Sequence, residues 1–229
     1  MTLEIKSLKF ECRPDTSDDK SVREILEKRE YLRRDFSPGP GETWADLGGY
    51  IGAFGIWAAS KGANVKAYEP YLPSYEIYKK NIQLNGMESK IALWPFAATA
   101  LREVCDLQVH ARGNYWRNSL VHTTCSEESV RVDCIPINEA VAGCECVKMD
   151  IEGAEFIVLE DMDWLKPVKK FVYEHSFDIN PSFKTYEDIV SRLRGIFDVV
   201  HARNLPKKYS EWQKSWFPSG VTTFAYKRS

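Results

Sequence analysis

Four stretches of the chain combine residue types and spacings that can do chemistry. The first, TWADLGGYIGAFGIW at residues 43–57, runs from an apolar strand through an acid and a glycine-rich turn into a helix. In open α/β sheets ligands bind beyond the carboxyl ends of the strands, and glycine there lets the backbone come close to a ligand. A G-x-G-x-x-G dinucleotide fingerprint would need glycine at 47, 49 and 52, but position 47 is Leu47, so that reading fails. What stands is Asp46-x-Gly48-x-x-x-Gly52, and a carboxylate at that place suits a ligand with an ammonium group and repels pyrophosphate. The second stretch, Tyr68-Glu69-Pro70, ends the next strand. Glu69 there can accept both ribose hydroxyls of a nucleoside, or it can cap the following helix; Asp46 and the three glycines favour the ribose.

The third stretch joins VKMDIEGAE (147–155) and KFVYEHSFD (170–178), which set Asp150, Glu152, Glu174 and His175 at the mouths of two further strands. Both acids of the first motif could serve a helix N-terminus, the weightier reading for Glu152. Glu174 beside His175 makes a carboxylate–imidazole pair able to accept the proton of an attacking hydroxyl, with His175 as base and Glu174 orienting it. A lone histidine is more often structural, and the neighbouring carboxylate is what argues for function. The fourth, GNYWRNSLVH (113–122), offers Tyr115, Trp116, Asn118 and Ser119 as flat faces beside hydrogen-bond donors. They suit the wall of a sugar site and equally the turn of a packed hairpin. Trp212, Trp216 and Phe217 form a second candidate lid with the same two readings.

Strand mouths align only if parallel strands alternate with helices. The periodicity predicts strands at 43–47, 64–69, 91–97, 145–149, 170–173, 198–201 and 221–226, and helices at 53–61, 74–84, 154–161 and 183–193. That alternation is a doubly wound α/β fold with a mostly parallel sheet. Before it, residues 1–38 read as an arm of one strand (3–12) and one helix capped by Ser17-Asp18-Asp19, closed by Ser37-Pro38-Gly39-Pro40-Gly41. Residues 39–229 are the main domain, and 99–143 within it are an insertion of three β-like runs, 103–109, 119–124 and 129–135.

The 229 residues, 44% hydrophobic and 28% charged, suffice for one sizeable core. A net charge of −2 carries no nucleic-acid or anionic-membrane footprint. No apolar run reaches the length of a membrane span, and the opening residues have no signal-peptide core, so the expected compartment is cytoplasmic. Six cysteines without a CxxC or paired histidines read as free thiols, and no metal site is expected. Nothing in the sequence speaks to the oligomeric state.

DLGGYIGAFGIW, VKAYEP, NIQLNG and above all VKMDIEGAE resemble the FkbM-like family of class I S-adenosylmethionine-dependent methyltransferases, over roughly residues 39–178. The resemblance implies a seven-stranded sheet whose last strand is antiparallel. It implies that Gly48, Gly49 and Gly52, with Asp46, Tyr50 and Ile51, pass by the methionine part of S-adenosylmethionine, that Glu69 and Pro70 meet the ribose, and that Ala97 and Ala98 lie on the adenine side. It also implies that Asp150 faces the transferred methyl group. Gly49-Tyr50 departs from the Ala-Asn of many relatives. The acceptors of such enzymes are hydroxyls, which makes O-methylation of a carbohydrate or glycan the expected activity and a polyketide hydroxyl the alternative. The [DN]PP[YF] motif of exocyclic-amine methylation is absent, so a nucleic-acid acceptor is not expected. An inactive binding subunit would not need the intact Asp46, glycine turn and Glu69.

Overall fold

The computed structural model describes residues 1–33, 36–110, 115–121, 126–177, 182–203 and 220–228. The chain opens with a hairpin, β1 (Thr2–Ile5) and β2 (Leu8–Glu11), where one strand was expected. Its turn residues Lys6 and Ser7 both have positive φ, 52° and 68°, as a two-residue hairpin turn requires. Neither is the glycine or asparagine that would announce such a turn. Helix α1 (Asp18–Leu26) follows and buries Val22 and Leu26.

A seven-stranded sheet forms the centre. Its strands are β3 (Thr43–Leu47), β4 (Asn64–Tyr68), β5 (Ile91–Trp94), β9 (Cys146–Met149), β10 (Lys170–Ser176), β11 (Val199–Ala202) and β12 (Gly220–Tyr226), in the order β11-β12-β10-β9-β3-β4-β5. Strands β3, β4, β5, β9 and β10 pair in parallel, while β12 runs antiparallel between β10 and β11. Helix α2 (Ala53–Ser60) links β3 to β4, and α3 (Leu72–Leu84) links β4 to β5, with Pro73 in its first turn. Helix α6 (Phe183–Leu193) spans the predicted residues, capped by the Ser182 hydroxyl accepting from Thr185 N–H at 3.1 Å. The helix expected at 154–161 is one turn, α5 (Glu155–Val158).

The third predicted strand, 91–97, divides at Pro95, whose missing N–H cannot continue a ladder. Its second half, β6 (Phe96–Thr99), leaves the main sheet and joins β7 (Val104–His110) and β8 (Ser126–Pro136) in a three-stranded sheet of order β6-β8-β7. Of the three runs expected in the insertion, the middle one, of which 122–124 lie outside the described residues, contributes a bridge between Gln108 and Ser119, next to a 3-10 turn at Tyr115–Arg117. A short helix, α4 (Ile137–Ala140), leads into β9.

Each face of the main sheet has its own apolar cluster. On one, the arm joins the core: Phe10, Val22, Tyr31 and Phe36 are buried with Trp44, Phe54 and Tyr78. Phe36 packs edge-on to Phe224 and Trp44, at centroid distances of 5.1 and 5.9 Å. On the other, Met149, Phe171 and Tyr173 meet Tyr186 and Leu193 of α6. The cysteines Cys12, Cys105, Cys134, Cys144 and Cys146 are free thiols, and Cys125 lies outside the described residues. Among the described residues no helix is long and apolar enough to cross a membrane.

Candidate active site

The carboxyl ends of β3, β4, β9 and β10 open into one cavity of about 470 Å³. Its floor begins at the turn after β3. Gly48 adopts φ +75°, and a Cβ there would fall 1.8 Å from the Asp150 carbonyl oxygen, so no other residue fits while the ends of β3 and β9 stay together. Its N–H and that of Gly49 both donate to the carbonyl of Tyr68, the last residue of β4, at 3.1 and 2.9 Å.

The other glycines answer to a tyrosine. The Tyr78 side chain from α3 lies where a Cβ at Gly49, Gly52 or Gly55 would stand, its ring 2.6 and 2.1 Å from the first two and its hydroxyl 1.8 Å from the third, and that hydroxyl donates to Asp46 Oδ2 at 3.2 Å. The spacing that suggested a cofactor turn is thus also the imprint of a buried side chain. Asp46, Ile51 and Gly52 sit beneath the cavity wall, whereas Gly48, Gly49 and Tyr50 line it. The ammonium that Asp46 meets within the chain is that of Lys148, its register partner on β9, at 3.2 Å.

Lys148 is a functional candidate that the sequence reading passed over. It is 3% exposed, reaches the cavity, and donates to the Gly48 carbonyl at 2.7 Å. Burial opposes its charge, yet Asp46 and Asp150 outweigh burial and hold its pKa above the ordinary value. A lysine inside the apolar strand VKM demands a carboxylate partner, and that signal was present in the sequence.

Glu69 is buried at the cavity wall beside Pro70. Its two oxygens accept from Tyr50 N–H at 2.8 Å and Tyr71 N–H at 2.9 Å. Burial pushes its pKa up to about 7 against the pull of those donors and of Lys148. Ala97 and Ala98 line the cavity from β6.

The opposite end is acidic: Glu30, Asp150, Glu152 and Glu174 all line it. Burial first, then Asp150, raises Glu30 to about 7 and holds Glu152 and Glu174 well above the ordinary carboxylate range. The Glu174 carboxylate rests over Gly220 of β12, where a Cβ would come within 1.8 Å of it. Asp150 Oδ2 accepts from the Tyr31 hydroxyl at 2.8 Å and lies 3.9 Å from Lys148 Nζ, while Asp150 Oδ1 is buried with no hydrogen-bond partner among the described residues. Tyr31 belongs to the arm, and nothing in the local sequence marks it. Burial first, with Asp150 next, keeps its hydroxyl protonated.

His175 does not join this group. Side chains alternate along a strand, so with Glu174 facing the cavity His175 points to the other face. It is 1% exposed there, its ring 4.4 Å from that of Phe177 and 5.2 Å from that of Tyr186. From the insertion, Tyr115 and Asn118 reach the cavity. Ser119 is buried behind it, its hydroxyl donating to the Glu152 carbonyl. The side chain of Trp116, and Trp212, Trp216 and Phe217, lie outside the described residues. Glu152 holds φ +51° and caps no helix by hydrogen bond; Glu155 instead accepts from Ile151 N–H at 3.1 Å and Gly153 N–H at 2.8 Å. Among the described residues no three His, Cys, Asp or Glu side chains group in a way that could hold a metal ion.

Solved structures of similar fold include precorrin-6y C5,15-methyltransferase from Geobacter metallireducens GS-15 (12% identity, 96% of this chain and 94% of that one, TM-score 0.50). A chain of the fibrillarin/Nop5p complex is also similar (12% identity, 88% and 79%, TM-score 0.51). The tRNA (uracil-54, C5)-methyltransferase of Pyrococcus abyssi, in complex with S-adenosyl-L-homocysteine, matches at 17% identity and TM-score 0.48 over 98% of this chain; the chain spans 43% of that enzyme's length. No curated protein sequence matches significantly. The methyltransferase FkbM domain matches residues 46–198, from Asp46 on β3 to the start of β11, and so takes in most of the cavity floor described above. The chain therefore belongs to the FkbM methyltransferase family and is an enzyme that takes S-adenosylmethionine as its methyl donor.

Proposed function

We propose that the chain transfers a methyl group from S-adenosylmethionine to a hydroxyl of a carbohydrate or glycan, within the cavity between the Gly48–Tyr50 turn and the acidic end. When bound, the cofactor supplies an electrophilic methyl group on a positively charged sulfur and departs as a neutral thioether. Two features fit it: Gly48 and Gly49 line the cavity with backbone alone, and a buried carboxylate oxygen, Asp150 Oδ1, has no hydrogen-bond partner among the described residues. In this reading Glu69 accepts the ribose hydroxyls and Ala97 and Ala98 flank the adenine. Tyr115, Asn118 and Glu152 meet the acceptor.

The observation that carries the reading is the acidic end, where four carboxylates face one cavity. Lys20, Lys28, Lys148 and Arg203 also line the cavity, and the four carboxylates supply the acceptors that the many O–H donors of a sugar need. Asp150, held by Tyr31 and Lys148, presents Oδ1 to the reacting hydroxyl and aligns it. Glu174 takes the proton as the new O–C bond forms. Burial and neighbouring acids raise its proton affinity toward that of a useful base, and loss of the positive charge during transfer raises it further. His175, outside the cavity, serves as packing in this mechanism. The test is a screen with methyl-labelled cofactor against neutral sugars, glycans, polyketides and RNA. Label on sugar or glycan hydroxyls is expected, and label confined to RNA would overturn the carbohydrate reading.

A further inference from the structure

The N-terminal arm is joined to the cofactor turn by a buried polar network that the methyl-transfer chemistry does not use. Asp18, at the start of α1, is fully buried. Its Oδ2 accepts from Arg13 N–H and Nε at 2.8 and 2.9 Å, and its Oδ1 from Arg13 Nη2 at 2.9 Å and from the Tyr50 hydroxyl. Arg13 also donates to Ser74 Oγ of α3 at 3.2 Å. Its guanidinium lies 5.4 Å from the Tyr50 ring centroid and 4.9 Å from that of Tyr115. One ion pair thus touches the cofactor turn, the first turn of α3 and the insertion that faces the acceptor.

Tyr50 is where this network meets the cavity. It holds φ +50°, a conformation that side chains other than glycine rarely adopt, and its N–H is one of the two donors on Glu69. A tyrosine keeps that backbone only if something else fixes it, and the bond from its hydroxyl to Asp18 does so. Bonds from Arg13 and Tyr50 overcome the penalty of burial and hold the Asp18 carboxyl below its ordinary range, so it stays charged. We propose that Arg13 and Asp18 are positioning residues for cofactor binding, acting through Tyr50 to set the turn and the orientation of Glu69. The arm then belongs to the cofactor site although it contributes no residue of the methyltransferase motif. This rests on reading the cavity as the S-adenosylmethionine site.

The test is calorimetric titration of the full chain with S-adenosylhomocysteine, with the melting temperature of each variant recorded. Tyr50→Phe keeps the ring and removes only the hydroxyl, and it should weaken binding roughly 10-fold. Asp18→Asn should weaken it at least as much, and the double variant should bind no worse than Asp18→Asn, because the two act through one bond. Arg23→Ala removes an exposed ion pair with Glu27 on the same helix, and it should leave affinity unchanged whatever it does to melting. Arg13→Lys keeps the charge and loses the forked geometry, and it should fall between wild type and Asp18→Asn. Wild-type affinity in a folded Tyr50→Phe variant, or losses that add in the double variant, would overturn the proposal and leave the cavity reading intact. Failure of the wild-type chain to bind S-adenosylhomocysteine would overturn both. If Asp18→Asn does not fold, Tyr50→Phe decides alone.

Discussion

The two halves of the cavity are made in different ways. The half proposed to hold the cofactor, from Gly48 to Glu69, is built from backbone: a turn whose N–H groups close on Tyr68, a glycine that no other residue can replace, and a carboxylate held by two main-chain donors. The half proposed to take the acceptor is built from side chains that arrive from the arm, the insertion and two strands, and Tyr31 meets Asp150 across 118 intervening residues. Backbone constraints restrict which residue can stand at each position and so leave a local pattern. Contacts between distant side chains leave none.

Lys148 ties the two halves together, and removing it should give the largest effect. Lys148→Met leaves the buried Asp46 without its cation, with the Tyr78 hydroxyl still donating to it, and frees the carbonyl of Gly48. Breaking a buried pair from one side typically costs about 3–5 kcal/mol. Urea unfolding should show a loss of that order, and Asp46→Asn should lose a similar amount. A loss below about 1 kcal/mol in both would show that the pair does not hold the sheet ends together.

Next comes Glu69, the test of the cofactor half. Glu69→Ala should weaken S-adenosylhomocysteine by about 1.5–3 kcal/mol in calorimetry, as expected for a charge-assisted pair. Burial raises its carboxyl to about 7, so affinity should rise with pH through that value as the carboxylate forms, and Glu69→Gln should flatten the profile. Stability of the free protein should respond in the opposite sense. The folded chain keeps a proton that the unfolded chain loses near its ordinary value, so this contribution is full below about 4.5 and is gone above about 7. A pH-independent affinity in the wild type would remove the Glu69 carboxylate from the ribose site.

Legibility in the sequence follows the same division. The alternation of strands and helices, the antiparallel last strand implied by family resemblance, and Gly48 and Glu69 were all readable, because periodicity and backbone geometry restrict residue type. The glycines at 49, 52 and 55 were visible, but their reason, the Tyr78 ring, was not. Glu174 and His175 show the limit most clearly: adjacent in sequence, they lie on opposite faces of β10, and only the register of the sheet says which faces the cavity. Lys148 carries a signal in its apolar surroundings, a charge between Val147 and Met149. Tyr31 and the Asp18–Tyr50 bond carried none.

In the acceptor half, Tyr31→Phe is the sharper tool. The ring keeps its edge-on contact with Phe54, at 5.6 Å between centroids, and only the donor to Asp150 is lost. With a carbohydrate acceptor supplied by the screen, kcat should fall about 10-fold while S-adenosylhomocysteine affinity stays within about 3-fold. His175→Phe, in the aromatic pocket on the other face, should leave kcat within about 3-fold. A large kcat loss in a stably folded His175→Phe variant would return the base role to the imidazole.

The smallest effect should come where the halves meet. The Tyr115 ring tilts onto Tyr71 at 5.4 Å and under Arg13 at 4.9 Å, while lining the cavity from the insertion. Tyr71 in turn donates its N–H to Glu69. Tyr115→Ala removes a surface proposed to face the acceptor, and it also takes one aromatic face from Arg13, a contribution of about 0.5–1 kcal/mol at a partly exposed site. The acceptor KM should therefore rise several-fold, roughly 3- to 10-fold, with cofactor affinity lowered by less than that. Tyr115→Phe keeps the ring on Arg13 and Tyr71 and should restore cofactor affinity fully and KM in part. If cofactor affinity and acceptor KM suffer equally in Tyr115→Ala, and Tyr115→Phe restores both together, the ring acts through Arg13 on the cofactor turn. The wall between the two halves would then have to be drawn on the far side of Tyr115.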